Sequence, residues 1–140
     1  MIKLKIASIG KTKETWLEEA LEEYAKRLSK VISLEWIWAK SRPQLVVLVA
    51  KDSHVICLDP KGALMTSEQF SAFLYEAIEK GGSRLTFVIG DADGLPDELR
   101  NRCPLLSLSP LTTTHQLTRL LLVEQVYRAT EIARGSPYHK

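Results

Sequence analysis

The stretch from Arg84 to Arg119, RLTFVIGDADGLPDELRNRCPLLSLSPLTTTHQLTR, decides the fold. Leu85 to Ile89 is almost uniformly apolar, the pattern of a strand covered on both faces. Gly90-Asp91-Ala92-Asp93-Gly94 reads as a tight turn needing a glycine's backbone freedom. Pro96 suits the first position of a short helix, and Asp97 and Glu98 suit its positive end. Leu105 to Leu108 reads as a second short strand, broken by Pro110. One of Thr112 to Thr114 then caps a long helix that runs to about Arg134, where Gly135 and Pro137 end it. Two strands thus deliver two small-residue loops to one end of a sheet, and a helix starts directly after the second. Loops at strand C-termini are where open α/β sheets bind ligands.

Upstream, strand and helix alternate. Ile2, Leu4 and Ile6 alternate with Lys3 and Lys5 in a strand from Ile2 to Ile9, ended by Gly10. Leu17, Leu21, Tyr24 and Leu28 fall at helical spacing within Lys13 to Ser29. On the opposite face Glu22–Lys26 and Glu23–Arg27 are spaced to pair one turn apart. Ile32 to Trp38 alternates again as a strand. Gln44 to Ala50 is continuously apolar and reads as a short helix or a buried strand, with helix favoured. His54 to Asp59 is a strand ended by Pro60 and Gly62. Thr66 and Gln69 have capping-box spacing at the start of a helix that Gly81 and Gly82 stop. This alternation predicts an α/β fold with a mostly parallel sheet, and 140 residues suffice for one domain with its own core.

Composition excludes several classes. No apolar run approaches the roughly 20 residues that span a bilayer, and the N-terminus lacks the continuous apolar core of a secretory signal. Cys57 and Cys103 stand apart with no CxxC, which suits buried thiols in a reducing cytosol and a cytoplasmic protein. His54, His115 and His139 show no metal-ligand spacing, so no metal is expected. Net charge is only +2, but the chain beyond Arg119 is locally basic, with Arg128, Arg134, His139 and Lys140 against Glu124 and Glu131.

The motifs limit the ligand. Gly90 to Gly94 is neither a dinucleotide fingerprint nor a P-loop. Asp91 and Asp93 would repel a phosphate, so a cationic or zwitterionic ligand, or a ribose needing acceptors, fits better. The Ser107 to Thr113 run leaves irregular backbone free to read an adenine edge, and Leu58-Asp59-Pro60-Lys61-Gly62 supplies a third loop. His115 and Arg119 lie one turn apart and so share a helix side. Arg119 on a surface would pair with Glu124 or Asp97.

The runs FVIGDADGL and LSLSPLTTTHQLTRLLLVEQVYRATEIARGSPYHK, with VICLDPKG and KIASIGK upstream, resemble the ribosomal RNA large subunit methyltransferase H family of the SPOUT superfamily. The resemblance covers nearly the whole chain and implies a deep C-terminal trefoil knot that binds S-adenosylmethionine. It implies a homodimer that methylates N3 of a pseudouridine in the helix 69 loop of 23S rRNA in the 70S ribosome. Leu58, Gly90, Leu108, Ser109, Pro110, Leu111, Thr112 and Thr113 match the family's cofactor positions. His115, Arg119, Tyr138, His139 and Lys140 match its substrate-binding and catalytic region. In that reading His139 or Tyr138 assists removal of the N3 proton, and Arg119 and Lys140 position RNA phosphate or pyrimidine carbonyls. The chain departs from the family at Asp91, where a glycine is usual, at Thr114, where a proline is usual, and in a shortened segment between Trp38 and Val55. The last helix is apolar more than halfway round, through Leu117, Leu120, Leu121, Leu122, Val123 and Val126, more than one core face requires, which suits the implied dimer. The departures leave open a non-catalytic RNA-binding or ribosome-assembly factor on the same fold. A flavodoxin-like nucleotide or flavin protein ranks last, because it assigns no role to the terminal PYHK.

Overall fold

The computed structural model describes residues 1–140. Five strands, β1 (Ile2–Ile9), β2 (Ile32–Ala39), β3 (Val55–Leu64), β4 (Arg84–Ile89) and β5 (Leu105–Ser107), form one sheet in the order β2-β1-β4-β3-β5. Every pairing is parallel. The helices are α1 (Thr15–Leu28), α2 (Arg42–Val49), α3 (Ser67–Lys80), α4 (Asp97–Arg102) and α5 (His115–Arg134).

Alternation along the strands sorts side chains between two cores. Leu4, Ile6, Ile56, Leu58, Leu85, Phe87 and Ile89 face a layer made by α1, α3 and α5. Ala7, Val55, Cys57 and Val88 face the layer made by α2 and α4. Steps β1→β2 and β3→β4 run one way across the sheet over the first layer. Steps β2→β3 and β4→β5 run the other way over the second. Reversing both direction and face keeps one hand, as right-handed crossovers demand. At the β3/β4 boundary the chain therefore leaves neighbouring strands towards opposite faces, which opens a crevice at their C-terminal ends. From β5, at the sheet edge, the chain returns to lay α5 against both α1 and α3.

The ambiguous Gln44 to Ala50 segment is helical. Ser41 caps α2 through its side chain, which accepts from the Gln44 N–H, and Pro43 sits in the first turn. The capping box at Thr66 and Gln69 is complete. On α1 the Glu23–Arg27 pair closes at 2.8 Å, whereas Glu22–Lys26 does not form. Two expectations are corrected. Pro96 is the N-cap of α4 rather than its first helical residue. Pro60 and Gly62 do not end β3, which continues to Leu64 after a register shift against β5 between Leu58 and Ala63. An irregularity accommodates a proline that a regular ladder would reject. Gly62 is needed there because a Cβ would lie 2.6 Å from the Leu105 carbonyl carbon. No helix is long and apolar enough to cross a membrane.

Candidate active site

The crevice at the strand ends has a volume of about 530 Å³, within the range of small-molecule sites. Leu58, Asp59 and Pro60 line it from β3, Ile89 to Ala92, Gly94 and Leu95 from the β4 turn, and Leu108, Ser109 and Leu111 to Thr114 from the β5 loop. His115, Thr118 and Leu121 close it from α5. Seven of the eight residues expected at the cofactor thus come together from three loops. Pro110 belongs to the same loop without lining the crevice.

Bonds within the loops hold this shape. A Cβ on Gly90 would lie 2.5 Å from the Gly94 carbonyl carbon and oxygen, so the turn closes only over a glycine. Asp91 builds the turn instead of obstructing it. Its Oδ1 accepts from the Asp93 N–H at 3.0 Å and from Arg42 Nη1 at 3.0 Å. Arg42 also donates to the Gly94 and Leu95 carbonyls at 2.8 and 2.9 Å. Asp59 is likewise paired, with Arg100 at 2.8 Å. Both carboxylates at the crevice are therefore balanced by arginine. In the β5 loop, Ser107 Oγ donates to the Ser109 carbonyl and Ser109 Oγ accepts from the Leu111 N–H. Apolar walls, irregular backbone and no free cationic cradle suit an uncharged nucleoside joined to a zwitterionic or cationic group.

His115 and Arg119 part company. His115 lines the crevice, and burial followed by the Arg119 charge holds its imidazole below the usual pKa, against a smaller upward pull from Asp91 and Glu14. Arg119 is wholly buried beneath β1. It donates to Ser8 Oγ, Thr12 Oγ1 and Gln116 Oε1, and to the Ile9 and Gly10 carbonyls at 2.9 Å each. Its guanidinium stacks 4.8 Å over the Trp38 ring. All five N–H groups are engaged and none is left for RNA. The surface pairing with Glu124 or Asp97 does not occur either, so Arg119 ties the start of α5 to the end of β1. Burial lowers its pKa to about 10.

The terminal tail docks on α5 and α3. The Tyr138 hydroxyl donates to Glu124 Oε2 at 3.0 Å, and its ring packs edge-on to Tyr127 with centroids 4.7 Å apart. Burial first, then bonding to Tyr24 and Glu124, raises its pKa, so the phenol stays protonated. Arg128 pairs with Glu124 at 2.8 Å and reaches His139 Nδ1 through Nη1 at 3.0 Å. Glu68, on the first turn of α3, bonds His139 Nε2. Glu124, Arg128 and Glu68 are absent from the residues expected on sequence grounds. Glu124 and Arg128 had the signal of an i,i+4 pair, but Glu68 had only that of an acid at a helix start.

Neither this cluster nor Lys140 lines the crevice. Glu124 lies nine residues beyond His115, about 14 Å along a helix axis. Between them Leu117 and Leu121 stand 42 % and 43 % exposed, and Leu111 at the crevice rim is 75 % exposed.

Comparison with known proteins agrees with this architecture. A family described as predicted SPOUT methyltransferase matches residues 2–139. A ribosomal RNA large subunit methyltransferase H from Protochlamydia amoebophila is 57% identical over 140 residues, all of both chains. One from Desulfitobacterium hafniense is 38% identical over 160 aligned positions, again all of both chains. Among solved structures, a probable methylase family protein from Haemophilus influenzae superposes with a TM-score of 0.60 at 13% identity. That alignment covers 98% of this chain and 70% of the other. It shows the fold, and the full-length identities show the family: the chain belongs to the SPOUT methyltransferases, as a member of the ribosomal RNA large subunit methyltransferase H family.

Proposed function

We propose that this protein transfers a methyl group from S-adenosylmethionine to N3 of a pseudouridine in the helix 69 loop of 23S rRNA, acting in the cytoplasm as a homodimer on assembled 70S ribosomes. The observation that carries this reading is the three-loop crevice on a chain 57% identical, end to end, to a relative of that name. Leu58, Gly90 and the Leu108 to Thr113 loop would hold the cofactor within a knotted C-terminal segment. Bound there, it supplies an already activated methyl carbon, so the protein's work is positioning and removal of one proton.

A single protomer does not bring the tail to the crevice. The exposed Leu117 and Leu121 lie between the two. If α5 packs antiparallel to its copy about an axis near Leu121, the partner's 124–128 segment comes level with His115. The tail of one subunit then completes the crevice of the other. With the bound cofactor supplying the methyl group, Tyr138 Oη would take up the N3 proton while the phenol's own proton would pass to Glu124 Oε2. His139 is excluded as that base because both ring nitrogens are already engaged. Arg128 keeps two of five N–H groups unpartnered and can hold the pyrimidine carbonyls, with Lys140 on the neighbouring phosphate. Arg119 acts indirectly, holding the start of α5 and thereby His115.

The test is methyl transfer to whole 70S ribosomes and to free 50S subunits, followed by mapping of the modified base. Transfer to the helix 69 pseudouridine of 70S particles is expected. No transfer, with no calorimetric binding of S-adenosylmethionine, would leave the assembly-factor reading.

A further inference from the structure

The link between α3 and the tail carries an inference beyond these roles. Glu68 lies 61 % exposed on the first turn of α3, where an acid needs no explanation beyond the helix dipole. Its carboxylate nevertheless bonds His139, 71 residues away in sequence. The start of α3 is rigidly set against α5. Thr66 and Gln69 cap it reciprocally, Ser67 Oγ donates to Gln125 Oε1 at 3.0 Å, and Ser71 Oγ donates to the Ala129 carbonyl at 2.9 Å. Few other bonds hold the imidazole. The tail backbone is held by the Ser136 N–H to the Glu131 carbonyl at 3.0 Å and by one long contact, Tyr138 N–H to Ser136 Oγ at 3.4 Å.

The chemistry of the neighbours assigns the ring. A guanidinium only donates, so Nδ1 facing Arg128 Nη1 must be the acceptor. The proton then sits on Nε2, and the Glu68 carboxylate accepts it. A doubly protonated ring would press Nδ1–H against the guanidinium. Without Glu68 the ring is free to turn about its Cβ–Cγ bond, and Nδ1 need no longer face Arg128. Arg128 carries the donors left for substrate, and Glu124 links it to the Tyr138 hydroxyl.

We infer that Glu68 is a positioning residue of the active site: by accepting Nε2–H it fixes which imidazole nitrogen faces Arg128, and so orients Arg128 and Tyr138. Its role in the rate rests on the methyltransferase reading above, while its role in holding the ring does not. A carboxylate orienting a histidine that orients the working group is a recurrent arrangement, and in metal sites losing such an outer partner costs roughly tenfold or more.

The experiment compares wild type, Glu68→Ala and Glu68→Gln as full-length protein. With ¹⁵N-labelled histidine, the His139 Nε2–H is identified by its loss in His139→Gln. A downfield, slowly exchanging Nε2–H is expected in wild type and Glu68→Gln, whose amide oxygen still accepts, and not in Glu68→Ala. In methyl transfer to 70S ribosomes, kcat of Glu68→Ala falls roughly tenfold with KM for S-adenosylmethionine unchanged, and Glu68→Gln restores it. An Nε2–H signal that survives in Glu68→Ala, an unchanged kcat, or a loss confined to KM overturns the inference. A wild type that transfers no methyl group overturns the functional reading instead, and the resonance still decides whether Glu68 holds the ring.

Discussion

Gly90 and His115 show how much the crevice depends on single atoms. A methyl group at position 90 would enter the Gly94 backbone at 2.5 Å, and backbone cannot step aside as a side-chain end can. Gly90→Ala should therefore cost about 1–3 kcal/mol in urea unfolding, the usual range for overpacking. It should also weaken S-adenosylmethionine binding by calorimetry. A variant with wild-type stability and affinity would show that the turn is not part of the site. His115 makes a pH prediction. Its folded pKa lies below the unfolded value, mainly through burial. Between the two values the unfolded chain binds more protons, so stability falls as pH drops from about 6.5 towards the folded value. His115→Gln should flatten that part of the stability–pH curve. An unaltered slope would mean that the imidazole is not held neutral.

At the scale of elements, α5 begins on Thr114, which caps it. Thr114 has φ −65° and ψ 152°, a conformation proline also adopts. Its hydroxyl accepts from the Leu117 N–H at 3.2 Å, which caps the helix. Threonine therefore enters the helix through a hydrogen bond, on a backbone that would also suit proline. Thr114→Ala should lose about 1 kcal/mol, as for other lost caps. Thr114→Pro should stay close to wild type in thermal unfolding, because the lost cap is offset by a stiffer unfolded chain. A large loss with proline would mean that residue 113 cannot accept a proline after it. The β3 strand carries the complementary lesson. Proline and glycine normally punctuate a strand, yet here the chain resumes pairing beyond them and carries the first crevice loop as a bulge.

For the whole molecule, the proposed dimer joins the exposed leucines and the tail in one arrangement. Leu121→Lys places a charge in the apolar patch, and should give a monomer in sedimentation together with loss of methyl transfer. A dimer that persists would move the interface elsewhere. Truncation after Gly135 should abolish transfer while leaving S-adenosylmethionine binding nearly intact, since no tail residue lines the crevice. Mixed dimers of a truncated subunit and a Gly90→Ala subunit should recover part of the activity, because one composite site keeps both an intact crevice and an intact tail. No recovery, with mixed dimers demonstrated by mass, would count against catalysis across the interface.

What the sequence determined by itself was local. Apolar periodicity marked most strands and the long helices, because a strand buried on both faces and a one-sided helix leave different repeats, whereas α4 was read from its start signals and α2 stayed ambiguous with a strand. Glycine, proline and threonine marked most of the ends, though not that of β3, and the loops of the crevice were legible because each follows a strand. The long-range partners were not. Whether Arg119 faced water or β1 depended on Ser8, Thr12 and Trp38, more than eighty residues away. A helical residue's side is readable from its spacing, but what lies against that side is not. The same holds for Asp91, which looked like an obstacle until Arg42 was set beside it, and for Glu68, whose partner His139 lies 71 residues away. Tertiary structure decided these because a charged side chain takes its role from its partner, and the partner is chosen by packing rather than by sequence neighbourhood.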